Sequence, residues 1–244
     1  TISSCLNSKQ ETEQNLSKRW VKGNLHAHTY WSDGDEFPEV VVDWYKKNGY
    51  QFIALSDHNI LAEGDKWIKV SEDSLYQNAF KSYLKNYGSD WVTHKIDSGQ
   101  ILVKLKTYNE YKERYEEDGI FIVIQSEEIS DRFENKAIHV NATNIQTKIE
   151  PQSGASVLEV LQNNIDAVLK QRAETGVPMI PHINHPNFYY SVSLEDIIAL
   201  RGERFFEVYN GHPMVKNLGD SIHISTEEMW DLINISYLKN KEPS

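Results

Sequence analysis

The chain of 244 residues contains one cysteine, Cys5, which excludes an internal disulfide and a thiolate zinc cluster. It is short of positive charge: 25 Lys and Arg stand against 36 Asp and Glu, a formal net charge of -11. With no basic stripe to neutralise a phosphate backbone, long nucleic acids are excluded as partners. Long apolar runs are missing too, since no stretch of 18 apolar residues occurs, so nothing reads as a membrane-spanning helix. What remains is a chain long enough to bury one large core, in the size range of α/β barrels. Its acidic excess fits a solvated surface, and part of it fits carboxylates gathered around cations.

The first residues carry a signal of their own. Ile2-Ser3-Ser4-Cys5 resembles the lipobox of bacterial lipoproteins, whose Cys is acylated after signal cleavage, and residues 1–19 are polar like a tether. The chain begins at Thr1 with neither an initiator Met nor an apolar signal core, so the expectation is a sequence cut upstream. The matching expectation for location is the cell envelope, with membrane attachment through a lipidated Cys5; the alternative is the cytoplasm.

From residue 20 onward, strand-like and helix-like segments alternate. Val21 to His28 is short and extended; 38–48 reads as a helix, with Pro38 in its first turn, Val41, Trp44 and Tyr45 on one face, and Gly49 as a stop. Gln51 to Ser56 is an apolar strand. Between about 62 and 118 the period blurs, and the spacing predicts a helical insertion with loops, including a charged helix over Tyr108 to Glu117. Tyr76, Tyr83, Tyr87 and Trp91 in this insertion fit packing or a substrate mouth. Ile120 to Ile124 and Ala137 to Ala142 read as strands, 154–175 as a long helix between Ser153 and Gly176, and Val177 to Ile180 leads to Pro181-His182. Ser193 with Asp196, and Ser225 with Glu228, fit helix starts around a strand at Arg204 to Val208. This alternation argues for a parallel α/β architecture, 20–244 forming one domain.

Polar residues able to hold a metal fall at the ends of these strands, where α/β barrels carry their active sites. His26 and His28, separated by one residue on an extended backbone, point the same way and can bind one cation. Asp33 follows in a Ser-Asp-Gly turn, and Asp57-His58 ends the next strand, with Asp57 able to orient an imidazole. Glu127 and Glu128 emerge from the most apolar strand, where a carboxylate is costly unless it faces a cation; strand alternation lets only one of them face a site. His139 and His185 extend the set, while His182 fits an outer position or substrate binding. His94, His212 and His223 lack a strand-end setting and are left unassigned.

Taken in order, Asn24-Leu25-His26-Ala27-His28-Thr29, Ser32-Asp33-Gly34, Ala54-Leu55-Ser56-Asp57-His58-Asn59, Ser126-Glu127-Glu128-Ile129, His139-Val140-Asn141 and Asn184-His185-Pro186 resemble the motifs of the PHP (polymerase and histidinol phosphatase) superfamily. The resemblance covers residues 20–210. It implies a distorted (β/α)7 barrel with up to three divalent metal ions (zinc, manganese or iron) in its mouth. On that pattern His26, His28 and Glu128 hold the first metal, Glu128, His139 and His185 the second, and Asp33 with His58 the third. The family's closing Asp-x-His motif is not found after Asn210, so the expectation is a barrel incomplete at its C-terminal end, either a fragment or a reduced site.

The function this implies is hydrolysis of a small phosphate ester by a metal-activated water, with Asp57 or His182 relaying protons. The alternatives are a carboxyl-ester, carbamate or amide hydrolase with the same centre, and a surface lipoprotein that binds metal or ligand without turnover.

Overall fold

A computed structural model describes residues 20–202 and 205–240. Cys5 and the expected tether over 1–19 lie outside the described residues, as does Arg204, where the last strand was predicted to start. Among the described residues no helix is long and apolar enough to cross a membrane.

In chain order the elements are β1 (Gly23–Asn24), α1 (Pro38–Lys47), β2 (Phe52–Leu55), β3 (Trp67–Lys69), α2 (Ser74–Tyr87), β4 (His94–Asp97), β5 (Gln100–Lys104) and α3 (Tyr108–Tyr115). They continue as β6 (Ile122–Phe133), β7 (Lys136–Thr143), α4 (Val157–Thr175), β8 (Ile180–Ile183), α5 (Leu194–Ala199), β9 (Phe205–Phe206) and α6 (Thr226–Asn240). The main sheet has six strands in the order β1-β2-β6-β7-β8-β9. β1, β2 and β6 run parallel, β7 runs against both of its neighbours, and β8 and β9 are parallel again.

This is a mixed α/β fold, and it departs from the predicted all-parallel alternation at β7. The physical reason is the link between β6 and β7, which is only Glu134-Asn135, with Glu134 at φ 53°. Two residues make a tight turn but no crossover, so the chain must return antiparallel. The sheet is also curled into a half-barrel. His26 lies just past β1 and Glu207 just past β9, at opposite ends of the strand order, yet their side chains meet at 2.7 Å.

The segment predicted as a helical insertion is a layer of its own. β3, β5 and β4 form an antiparallel sheet in that order, with α2 residues in its core, while α3 packs against α1 and β6. Phe37, Phe80, Tyr83, Val92, Val103 and Leu105 pack together beneath it. Tyr76, Tyr83, Tyr87 and Trp91 belong to that packing, and none lines the cavity described below. Glu39 of α1 fastens the layer to the half-barrel, its buried carboxylate accepting from the Tyr83 hydroxyl and, at 2.6 Å, from Trp91 Nε1.

Helix boundaries follow the chemistry of their ends. α1 starts at Pro38, whose missing N–H costs nothing in a first turn, but its buried residues are Pro38, Glu39 and Val42, and Trp44 is exposed. The long helix starts later than predicted, because Ser156 and not Ser153 caps it, accepting from Glu159 N at 3.1 Å; Gly176 ends it at φ 70°. Val160, Leu161 and Ile165 on its buried face pack against Ile138, Val140 and Ile183 of β7 and β8. Each large side chain buried there contributes roughly 1.5–3 kcal/mol. Ser193 and Asp196 form the capping box of α5, and Ser225 Oγ accepts from Glu228 N at 3.0 Å ahead of the last helix.

Candidate metal centre

The mouth of the half-barrel is built from segments just past β1, β2 and β8 and from the inner face of β6 and β7. His26 and His28 follow β1, and the Asn24 side chain accepts from His26 N at 2.9 Å to hold the turn between them. His58 follows β2 and bridges to Glu128 through the backbone. Glu128 pairs with Asn141, and His139 pairs with Ser130. The period of two along β6 and β7 therefore places Glu128, Ser130, His139 and Asn141 on the inner face. The same alternation turns Glu127 outward, where it accepts from Ile149 N at 2.6 Å. His185 lies beyond β8, on a backbone with φ of 27°.

Five imidazoles close into a ring. Successive centroids lie 5.1 Å (His26 to His28), 4.4 Å (His28 to His58), 5.3 Å (His58 to His139), 5.2 Å (His139 to His185) and 5.7 Å (His185 to His26) apart. The fully buried Glu128 carboxylate stands inside this ring. Its Oε1 is 3.5, 3.0 and 3.3 Å from nitrogens of His26, His139 and His185, and its Oε2 is 3.1 and 2.9 Å from those of His28 and His58. Ligand atoms of His26, Glu128 and His185 lie within 4.8 Å of one another, and so do those of His28, His58 and Glu128. The two groups share only Glu128.

These donors suit a cation better than one another. Despite its short distances, Glu128 Oε2 makes no directed hydrogen bond, and neither does His139 Nδ1. Such atoms converge without pointing a hydrogen at each other, as ligands of an ion do. Tautomers sharpen the point. Glu207 Oε1 sits 2.7 Å from His26 Nδ1 and Asp33 Oδ1 sits 3.0 Å from His28 Nδ1, so each carboxylate draws the ring proton to Nδ1. The two Nε2 lone pairs then face each other at 3.0 Å, beside Glu128. That arrangement repels unless a proton or a metal ion lies between them.

Charge tells the same story. Burial pulls His26 down, but Glu128 and Glu207 outweigh it and push its pKa up to about 10. His58 is raised likewise, by Glu128 and Asp33 against burial. Burial would raise Glu128, and the surrounding imidazoles hold it well below the usual carboxylate range. Glu207 and Asp33 are also lowered, against burial, by the histidines they face. Nitrogen and carboxylate donors in this mixture are compatible with a divalent metal ion.

Of the residues predicted for the site, His26, His28, Asp33, His58, Glu128, His139 and His185 meet here. Asp33 faces His28 and, at 3.5 Å, His58, while its side chain stays 68% exposed. Asp57 does not reach the cavity. Its carboxylate is spent on Thr29 N, Thr29 Oγ1 and Ser32 Oγ at 2.8, 2.8 and 2.6 Å, and fixes the loop that carries His28 and Asp33. His182 lies beside Asn141 in the sheet, outside the cavity lining, and burial lowers its pKa to about 4. Neither placement suits a proton relay to a molecule in the mouth.

Glu207 was missed, although a lone acid in the run Phe205-Phe206-Glu207-Val208 is a signal of its own. Besides meeting His26 it accepts from His185 N and Asn210 Nδ2, both at 3.0 Å, so one carboxylate fixes two ligand-bearing segments. His212, left unassigned, lines the cavity. That cavity is about 370 Å³ and runs from Asp33, Gly34 and Asp35 across the ring to Phe188, His212 and Val215. A larger cleft of about 800 Å³ among α1, α2 and α3 is lined by none of these histidines.

No family model matches the chain, and no curated protein matches it. Among solved structures it is similar to a protein of Bifidobacterium adolescentis described as a presumed metal-dependent phosphoesterase, at 11% identity and a TM-score of 0.41, over 90% of this chain and 85% of that one. At that level the likeness bears no weight for chemistry, which rests on the residues themselves.

Proposed function

We propose that the chain is a metal-dependent phosphoesterase of PHP type, acting on a small phosphate ester. The observation that carries this reading is the closed ring of five imidazoles around the buried Glu128 carboxylate, open to a cavity of about 370 Å³. His26, His28, His58, His139, His185 and Glu128 would hold the metal ions. Bound divalent ions supply charge neutralisation for phosphoryl oxygens and bring the pKa of water towards neutrality.

The chain's own residues do the rest. Glu128 offers one oxygen to each ligand group, so both share a single carboxylate. Asp33 and Glu207 keep the His28 and His26 rings in the tautomer that turns Nε2 inward. Asn184 Nδ2 donates to Glu128 Oε1 at 2.6 Å and to Asn141 Oδ1 at 2.9 Å, which fixes the Glu128 carboxylate from behind. In the overall step water adds its oxygen to phosphorus, the P–O bond to the alcohol breaks, and a proton passes to the departing oxygen.

The test is elemental analysis of the purified chain, followed by release of inorganic phosphate from phosphate esters with added manganese or zinc. Turnover well above a His26→Ala, His28→Ala double variant supports the reading. Turnover of carboxyl esters in place of phosphate esters would move the chain to the other hydrolase class. Bound metal without any turnover leaves a binding protein. A lipidated Cys5 at the cell envelope remains a separate proposal, checked by mass measurement of the protein isolated from membranes.

A further inference from the structure

The cavity has two unlike walls. Asp33, held by His28 and facing His58, continues through Gly34 to Asp35 and makes one wall acidic. Across the ring, Phe188 stands 5.1 Å from the His185 ring and 6.3 Å from the His139 ring. Phe188 lines the cavity, so a group laid against it there lies beside the ligand imidazoles. Outside the lining, Tyr189 stands edge-on to Phe188 at 4.6 Å and is 63% exposed, and His212 of the lining lies 5.9 Å from the Phe188 ring.

Two features show that the aromatic wall is built and not incidental. Tyr189 and Tyr190 both have φ of 51°, and His185 has 27°, a region that costs a bulky residue on the order of 1–3 kcal/mol. A plain turn would use Gly or Asn at such positions. The strained loop is nevertheless pinned: Asn187 Nδ2 donates to Lys216 O and Ile224 O at 3.0 Å each, Phe188 bridges to Val215, and Tyr190 stacks on His223 at 3.6 Å. Core packing does not explain an exposed Tyr held in that conformation. A preformed aromatic shelf beside the reacting centre does.

We propose that the site selects a phosphate ester whose organic part is a flat, uncharged ring, laid on Phe188 with Tyr189 as its outer edge. This rests on the phosphoesterase reading and names the substrate class within it. Ring stacking favours a planar group, and the acidic wall disfavours a second anionic group on the substrate.

The test uses the full chain loaded with manganese. The first readout is the ratio of kcat/KM for phenyl phosphate over ethyl phosphate, and Phe188→Leu should lower that ratio about tenfold, with Tyr189→Ala lowering it less. The second is calorimetric binding of phenylphosphonate against methylphosphonate, where the wild type should prefer the phenyl compound about tenfold and Phe188→Leu should lose the preference. Should Phe188→Leu shed its metal, Tyr189→Ala, which touches no ligand, takes its place. A ratio unchanged by the variants, or equal phosphonate affinities in the wild type, overturns the shelf while leaving the hydrolase reading intact. Absence of phosphate release from both esters overturns the phosphoesterase reading, and the phosphonate pair still judges the shelf.

Discussion

The two carboxylates that stand behind the histidine ring do the same job in different surroundings. Glu207 meets His26 Nδ1 at 2.7 Å with its side chain 13% exposed, while Asp33 meets His28 Nδ1 at 3.0 Å with its side chain 68% exposed. Attraction between charges weakens with dielectric, and salt screens the exposed pair far more than the buried one. Glu207 also accepts from His185 N and Asn210 Nδ2, whereas Asp33 accepts from the neighbouring Ser32 Oγ at 3.3 Å and faces His58 at 3.5 Å. One half of the ring is fixed by the fold and the other half is tuned by the solvent.

Three measurements break or sharpen this contrast. The largest effect is expected from Glu207→Gln, which keeps the shape but removes the charge behind His26; metal affinity should fall between about tenfold and a hundredfold, read by calorimetric titration. Asp33→Asn should cost less than about tenfold, and the difference from wild type should shrink further as salt is raised. Equal losses in the two variants would show that burial does not separate them. The smallest effect concerns His182, as buried as His26 but without a carboxylate in contact, and with its pKa lowered to about 4 where that of His26 is raised to about 10. A histidine depressed on folding contributes stability above its unfolded pKa near 6.5 and loses it as pH falls towards 4, because the unfolded chain takes up the proton first. In metal-free buffer, the wild type should lose about 1 kcal/mol more than His182→Gln between pH 8 and pH 6, by chemical denaturation. Parallel pH profiles would show that His182 is not the group responsible.

Much of the site was legible because its donors are polar residues in or just past apolar strands, where packing alone does not call for them. His26, His28, His58 and His185 lie just past strand ends, and Glu128 and His139 lie within β6 and β7 on the inner face. Asp57 lies just past a strand end as well, and its side chain turned out to serve the loop before it. The long helix was legible from its stripe and from Gly176, since these are local features. The β6–β7 hairpin was not, because Glu134-Asn135 carries no glycine and the charged second half of β6 breaks the apolar pattern. The inserted sheet escaped for a similar reason: every residue of β4 is exposed, so no alternation marks it. Glu207 escaped because its partner His26 lies 181 residues away, and only the curl of the sheet brings them together.

That curl gives the molecule a seam. β1 and β9 end the strand order without pairing to each other, and among the described residues the polar contacts that cross from one to the other run through His26, to Glu207 and Asn210. A residue that liganded an ion and also clasped the two lips of the wall would make the ion a rivet. Occupancy would then be felt as mechanical closure, and the free energy of binding would hold the half-barrel shut along its weakest line.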